Sequence, residues 1–298
     1  MARVYVHIGL PKTATTTLQS DLFPAMSRGG CTYIGVIQPR TERSAPLYDQ
    51  LCTAIFLDQD VESARRALQQ RLASGESIIF SEEMICSVQN RPWQEKLDTL
   101  AAILDGLDYR ILLTVREPVA AMFSHFVQQY RIYAPLKQPW HKLAVEHNNF
   151  MIYHYEVLLS RPESLFPRER IKVAKFEEIV RGEIGDVLDF LDVPLGAERQ
   201  VVITEHNSKR GSANEVLIDR KLSLGWLRPL YERFGGDSNP LLKASGAALR
   251  PVLAMIRRIP LGSVRIPRPT DQERQRVRDA VLARGNDCQS RYGIDYRP

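Results

Sequence analysis

The sequence lacks most of the features that mark special classes of protein. Its four cysteines, Cys31, Cys52, Cys86 and Cys288, are scattered and never fall at CxxC spacing. Neither a zinc site nor a disulfide framework is expected, and a reducing cytoplasm is the natural setting. No stretch approaches the roughly 18–20 continuous apolar residues of a membrane span. The N-terminus runs straight into a strand pattern without a signal-peptide core. The six histidines and the acidic residues show no metal-ligand spacing. Internal repeats and low-complexity linkers are missing too. Charge of one sign is not dominant: 40 Lys and Arg face 35 Asp and Glu, for a net +5. That balance favours anionic ligands mildly and is less basic than a nucleic-acid-binding face usually is. What remains, 298 residues with 44% hydrophobic and 25% charged, is an ordinary globular composition. It excludes a disordered or collagen-like chain.

The order of elements is α/β. Val4 to Ile8 is a β-branched and aromatic run ending at Gly9, followed by a polar loop and then Leu18 and Leu22 at helical spacing. Further strands are predicted at Ser77 to Phe80, Tyr109 to Val115 and Ile171 to Phe176, with helices at Val61 to Leu72, Trp93 to Leu104 and Glu177 to Leu191. Strands alternating with helices predict a mostly parallel sheet covered on both faces, with ligands beyond the carboxyl ends of the strands. After Asn207 the strand patterns vanish, and a charged helix is expected from Asp271 to Cys288. The organisation expected is one domain over 1–298, with an α/β core at 1–205 and a helical part at 206–298.

Three constellations carry chemistry. The first is Gly9-Leu10-Pro11-Lys12-Thr13-Ala14-Thr15-Thr16-Thr17, between a strand and a helix. A loop there aims backbone N–H groups and a helix N-terminus at one point, which makes an anion site. Lys12 adds a charge, and the hydroxyls of Thr13, Thr15, Thr16 and Thr17 add donors. This is not the phosphate loop of nucleotide hydrolases, whose Lys stands after a second Gly and directly before the magnesium-holding Ser or Thr. A strand-end Asp for magnesium is also missing, since Tyr109 to Val115 runs into Arg116-Glu117. The second constellation is Arg116-Glu117-Pro118 with Ser124. Pro118 suits a helix's first turn, and Arg116 with Ser124 can clamp one phosphate. The competing reading pairs Arg116 with Glu117 and leaves Ser124 to fill a packing gap. The third is Glu82-Glu83 at a strand end, where one carboxylate can act as a base and Glu83 is the better candidate for capping the next helix.

Pro11-Lys12-Thr13-Ala14-Thr15-Thr16 resembles the 5′-phosphosulfate loop of sulfotransferases that use 3′-phosphoadenosine 5′-phosphosulfate (PAPS). Arg116, with Ser124 eight residues on at the end of a hydrophobic strand, resembles their 3′-phosphate site. The run from Val173-Ala174-Lys175-Phe176-Glu177-Glu178 to Phe190-Leu191 is similar to the segment that follows an internal strand in that family. The resemblance covers residue 1 to about residue 210. One departure is Ala14, where the family commonly has Gly; a positive φ there would strain alanine.

The resemblance implies a P-loop-like, mostly parallel sheet flanked by helices, and sulfuryl transfer without a metal from PAPS to a hydroxyl of a carbohydrate or glycolipid. It implies Lys12, Thr13, Ala14, Thr15, Thr16 and Thr17 at the 5′-phosphosulfate, and Arg116 and Ser124 at the 3′-phosphate. A late basic loop at Lys209-Arg210 would close over the nucleotide. Glu82, with Glu83 as the alternative, would be the general base. Other readings of the same residues are a nucleotide-dependent kinase and a non-catalytic nucleotide- or anion-binding module.

The remaining histidines are expected in structural roles. His7, in mid-strand, is a rival base but suits a hydrogen-bonded core position. His125 should point away from Ser124. His141, His147 and His154 are spaced by seven and suit a surface helix face. The aromatics between Tyr130 and Tyr155 can stack on sugar rings or build an ordinary core. From Ser238 to Thr270 the chain carries Lys243, Arg250, Arg257, Arg258, Arg265 and Arg268 and no acidic residue after Ser238. Val252, Met255, Ile256 and Ile259 make one apolar helical face there. Two readings of residues 243–268 stay open: peripheral contact with an anionic inner membrane, or packing of the apolar face on the sheet with the arginines lining a cleft.

Overall fold

The computed structural model describes residues 2–28, 31–37, 42–43, 45–192, 214–221, 260–282, 291–294 and 296. Five strands form one parallel sheet: β1 (Val4–Gly9), β2 (Cys31–Tyr33), β3 (Ser77–Ser81), β4 (Tyr109–Val115) and β5 (Ile171–Lys175). Their order across the sheet is β2-β3-β1-β4-β5. Every residue of β1 is buried, as a central strand covered on both faces requires. One face is sealed by the helical run 15–28, which is α-helical at Thr15–Thr17, a π turn at Leu18–Leu22 and α-helical again at Phe23–Arg28. Its Leu18, Leu22, Phe23 and Met26 pack with Tyr5, Ile79, Leu112 and Ala174 of the sheet and with Val187 and Leu191 of the helix Gly185–Leu191. The helices Pro46–Leu57, Val61–Ala73, Trp93–Leu104 and Tyr155–Leu165 pack on one another, and Val61–Ala73 lies beside β3.

The chain forms two compact units, residues 1–207 with 269–298, and residues 208–268. The first holds the sheet and the helix Asp271–Leu282. In the second, β6 (Glu215–Lys221) and β7 (Pro260–Pro267) pair antiparallel. This ribbon overturns the expectation of no strand after Asn207. Its strands lie far apart in the chain, so no hairpin signal announces them. The period-two pattern is there in retrospect, with Val216 and Ile266 buried and Leu217 and Arg265 exposed. Arg265 sits 3.8 Å from Glu215 in this ribbon, while the apolar face at 252–259 lies outside the described residues. Among the described residues no helix is long and apolar enough to cross a membrane.

Two smaller differences concern the turn after β5. The strand stops at Lys175, and Phe176 opens the helix Phe176–Val180. The expected single helix to Leu191 is two, broken at Gly182, whose φ of 79° lies in the region open to glycine.

Candidate functional site

Leaving β1 the chain turns toward β2 on one side, and leaving β4 it turns toward β5 on the other. That divergence opens a crevice between the carboxyl ends of β1 and β4, the switch point where doubly wound sheets bind ligands. Gly9 pairs with Thr114 across it, which sets the loop after β1 beside Arg116.

In that loop three consecutive carbonyls are tied back into the protein. Leu10 O accepts from Thr13 N at 3.3 Å, Thr13 Oγ1 at 2.7 Å and Thr15 Oγ1 at 3.4 Å. Pro11 O accepts from the Tyr153 hydroxyl at 3.0 Å, and Lys12 O from Arg116 Nη1 at 3.3 Å. Lys12 (φ 72°) and Ala14 (φ 64°) both take the left-handed region on either side of Thr13. A loop of alternating hand with its carbonyls turned inward is built to present N–H groups to an anion. Gly9 is required by space. A Cβ there would stand 2.3 Å from Thr15 Oγ1 and 3.0 Å from His7 Cε1.

Of the four threonine hydroxyls counted as donors in the sequence, Thr13 and Thr15 direct theirs at Leu10 O. Thr13, Thr15 and Thr17 are buried, and Thr16 is half-buried. Thr16 is therefore the most accessible hydroxyl of the four.

Arg116 is held from three sides. Its guanidinium lies 4.2 Å from the centre of the Phe176 ring, a cation–π contact. Its backbone N–H donates to Tyr155 Oη at 3.1 Å, and the Tyr155 hydroxyl donates to its carbonyl. The expected alternative, a pair with Glu117, is not formed. Glu117 caps the helix Pro118–Gln128 through Ala120 N at 2.6 Å and pairs with Arg278 at 3.6 Å. Among the described residues no carboxylate forms an ion pair with Arg116. Ser124 lies half-buried in the second turn of the same helix. Its neighbour His125 points into the core, with Nδ1 2.9 Å from Tyr153 Oη.

At the end of β3, Glu82 rather than Glu83 caps the short helix Glu83–Cys86, accepting from Met84 N at 2.8 Å through Oε1. The physical reason is position: the cap must precede the first helical residue, and Glu83 is already inside. The Tyr48 hydroxyl donates to Glu82 Oε2; burial and then the Glu82 charge push the Tyr48 pKa up. Glu82 is 5% exposed. Lys96, fully buried, donates to Met84 O at 3.0 Å and Ser87 O at 2.8 Å. Burial lowers its pKa to about 8.

Lys209 and Arg210 lie outside the described residues. Tyr153, Tyr155, Tyr48 and Lys96 are not readable as supports from the sequence, since each reaches the site from a distant element. Phe176 alone carried a hint, standing at the end of a strand. The histidine series is corrected. His141, His147 and His154 do not share a helix, because the α-helix ends at Glu146 and Asn148–Tyr153 is a 3₁₀ segment. His154 is buried, and His141 Nδ1 lies 3.0 Å from Glu273. Tyr133, Trp140, Phe150, Tyr153 and Tyr155 are buried too, so these aromatics build a core.

No family model matches the chain, and no curated protein sequence matches it. Among solved structures it bears a remote likeness to a sulfotransferase from Alicyclobacillus acidocaldarius, at 16% identity and a TM-score of 0.41, covering 68% of this chain and 85% of that one. It is similar also to a sulfotransferase domain from the curacin biosynthetic pathway, at 13% identity and TM-score 0.34, covering 66% and 76%. A third likeness is to shikimate kinase from Bacteroides thetaiotaomicron, at 14% identity and TM-score 0.31, covering 64% and 98%.

Proposed function

We propose that this chain is a sulfotransferase that moves a sulfuryl group from PAPS to a hydroxyl of a carbohydrate or glycolipid. The observation that carries the reading is the pair across the crevice. Lys12 stands on a loop whose carbonyls face inward, and Arg116 beside it has no carboxylate partner among the described residues. Two cations next to converging N–H groups suit a ligand with two separate anionic groups.

In this reading Lys12, the N–H groups of Ala14, Thr15, Thr16 and Thr17 and the Thr16 hydroxyl hold the 5′-phosphosulfate, where negative charge grows on the leaving group's bridging oxygen. Thr13 shapes the loop through its bonds to Leu10 O. Arg116 and Ser124 hold the 3′-phosphate. Glu82 takes the acceptor's proton. Its two carboxylate oxygens offer about four lone-pair sites, so the bonds from Met84 and Tyr48 leave room for that role. Glu83 is the alternative base.

Calorimetry with 3′,5′-bisphosphoadenosine and with magnesium-ATP tests the reading. Binding of the first without the second is expected. Magnesium-dependent ATP binding would establish a kinase in its place. Bisphosphoadenosine binding without Glu82-dependent turnover on any hydroxyl acceptor would establish a binding module. Mass spectrometry of cell extracts incubated with the protein and PAPS identifies the acceptor by its added sulfate.

A further inference from the structure

Beneath the loop, five side chains form a hydrogen-bonded file that crosses the sheet inside the protein. Gln19 Nε2 donates to Ser81 Oγ at 3.1 Å, and Ser81 Oγ lies 2.8 Å from His7 Nδ1. His7 Nε2 lies 3.3 Å from Thr114 Oγ1, which lies 2.8 Å from Thr13 Oγ1. Thr13 Oγ1 reaches Leu10 O at 2.7 Å. All five side chains are buried. They come from β3, β1, β4, the loop and the helical run behind it.

Counting protons assigns every bond a direction. A carbonyl has no proton, so Thr13 donates to Leu10 O. With its single hydrogen used, Thr13 accepts from Thr114, and Thr114 in turn accepts from His7 Nε2. Full burial pushes the His7 pKa down to about 3, so the ring is neutral and a proton on Nε2 leaves Nδ1 bare. Ser81 therefore donates to Nδ1 while accepting from Gln19. The Tyr33 hydroxyl gives its own proton to Val36 O at 2.9 Å and so competes with His7 for the Ser81 proton. A Ser81 bond to Tyr33 would need Nδ1–H and Thr114 donating to Nε2, which leaves no proton between Thr114 and Thr13, 2.8 Å apart.

We infer that His7 is a positioning residue, held as the Nε2–H tautomer, that sets the Lys12 loop in register with Glu82. The connections are short at both ends. Thr13 follows Lys12 in the chain and Ser81 precedes Glu82, while Glu82 N donates to His7 O at 3.1 Å. Arg116 and Tyr153 fix the outer carbonyls of the loop, and the file fixes its inner end. The same count removes His7 as the general base. Both ring nitrogens are engaged within the protein, and a file that ends on a carbonyl cannot hand a proton onward.

The service to Lys12 and Glu82 rests on the function proposed above; the tautomer does not. In the full chain, ¹⁵N spectra of the His7 ring should show the neutral Nε2–H form throughout about pH 5–8. An Nδ1–H or imidazolium pattern overturns the assignment. Two variants test the positioning role. In His7→Gln the amide nitrogen reaches the place of Nε2 and restores the donor to Thr114; in His7→Asn the amide reaches only the place of Nδ1. The backbone amide signals of Lys12, Thr13 and Glu82 should hold in His7→Gln and shift together in His7→Asn. Bisphosphoadenosine affinity should follow, falling about tenfold in His7→Asn alone, the worth of one hydrogen bond. Equal disturbance of those amides by the two folded variants, or none by either, overturns the role. If the nucleotide fails to bind the wild-type chain, the sulfotransferase reading falls, and the amide signals still decide the fate of His7.

Discussion

Glu82 and Lys96 hold opposite ends of one short helical turn. The carboxylate of Glu82 takes the first free N–H at Met84, and the ammonium of Lys96 satisfies the carbonyls of Met84 and Ser87. Negative charge at the N-terminus and positive charge at the C-terminus is the arrangement the helix dipole favours. The candidate base is thus seated by a lysine fourteen positions away in sequence.

Lys96→Met should therefore do more than lose a charge. It leaves Ser87 O without its donor, while Met84 O keeps Ser87 N at 3.1 Å and Ser87 Oγ at 2.8 Å, a loss of about 1–3 kcal/mol. Denaturant unfolding measures this. Turnover with acceptor should fall as the turn loosens, while bisphosphoadenosine affinity stays near the wild-type value. A stable variant with unchanged turnover would show that Lys96 does not seat Glu82.

Ala14 occupies a left-handed backbone position, φ 64° and ψ 15°, that costs a residue with a Cβ about 1 kcal/mol or more. Glycine's extra freedom in the unfolded chain takes back part of the gain. Ala14→Gly should stabilise the protein by about 0.5–1 kcal/mol, seen as a higher denaturant midpoint at an unchanged slope. Gly9→Ala should do the reverse, because its Cβ would collide with the buried Thr15 side chain.

The legibility of this protein divides along the range of its interactions. The strand Tyr109–Val115 and the helix Trp93–Leu104 match the residues read from periodicity, since both are long and locally patterned. Strand β2, three residues at the sheet edge, was missed because its pairing with β3 is all that defines it. The ribbon of β6 and β7 escaped for the same reason. Lys12 and Arg116 stood out by type and by position at strand ends. Tyr48, Tyr153 and Phe176 did not, because a support is defined by what it touches. The role of Glu82 as a cap shows the limit from the other side: neighbouring glutamates look alike until the strand's last residue is known.

The two crevice cations should separate kinetically. Lys12→Ala should mainly lower turnover, by roughly 10²–10³-fold if the lysine acts as a preorganised donor to charge formed in the transition state. Arg116→Ala should mainly weaken bisphosphoadenosine. It should also erase the preference for nucleotides carrying a 3′-phosphate. Unchanged affinity in Arg116→Ala would remove that residue from the site.

Glu82→Gln keeps size and the acceptor oxygen for Met84 but removes the base. Acceptor-dependent turnover should drop about 10²–10⁴-fold while nucleotide affinity survives. A larger loss in Glu83→Gln would transfer the role to Glu83.

Acid should destabilise the fold through two histidines that burial keeps neutral. His7 is pushed down to about 3 by burial, and His125 to about 4 by burial first and then by the charges of Lys12 and His147. The groups packed on His125 are otherwise uncharged at neutral pH: Tyr133, Phe150 and Tyr153. An unfolded histidine titrates near 6.5. Between that value and the folded ones, the unfolded chain binds protons that the folded chain refuses, so stability rises with pH across this window and falls as pH drops below about 6.5. At pH 5 each histidine accounts for roughly 2 kcal/mol of lost stability. Unfolding free energies measured from about pH 7 down to about pH 5 should show this slope, and His125→Asn should halve it whatever its effect on absolute stability. A flat profile would mean that neither ring is held neutral.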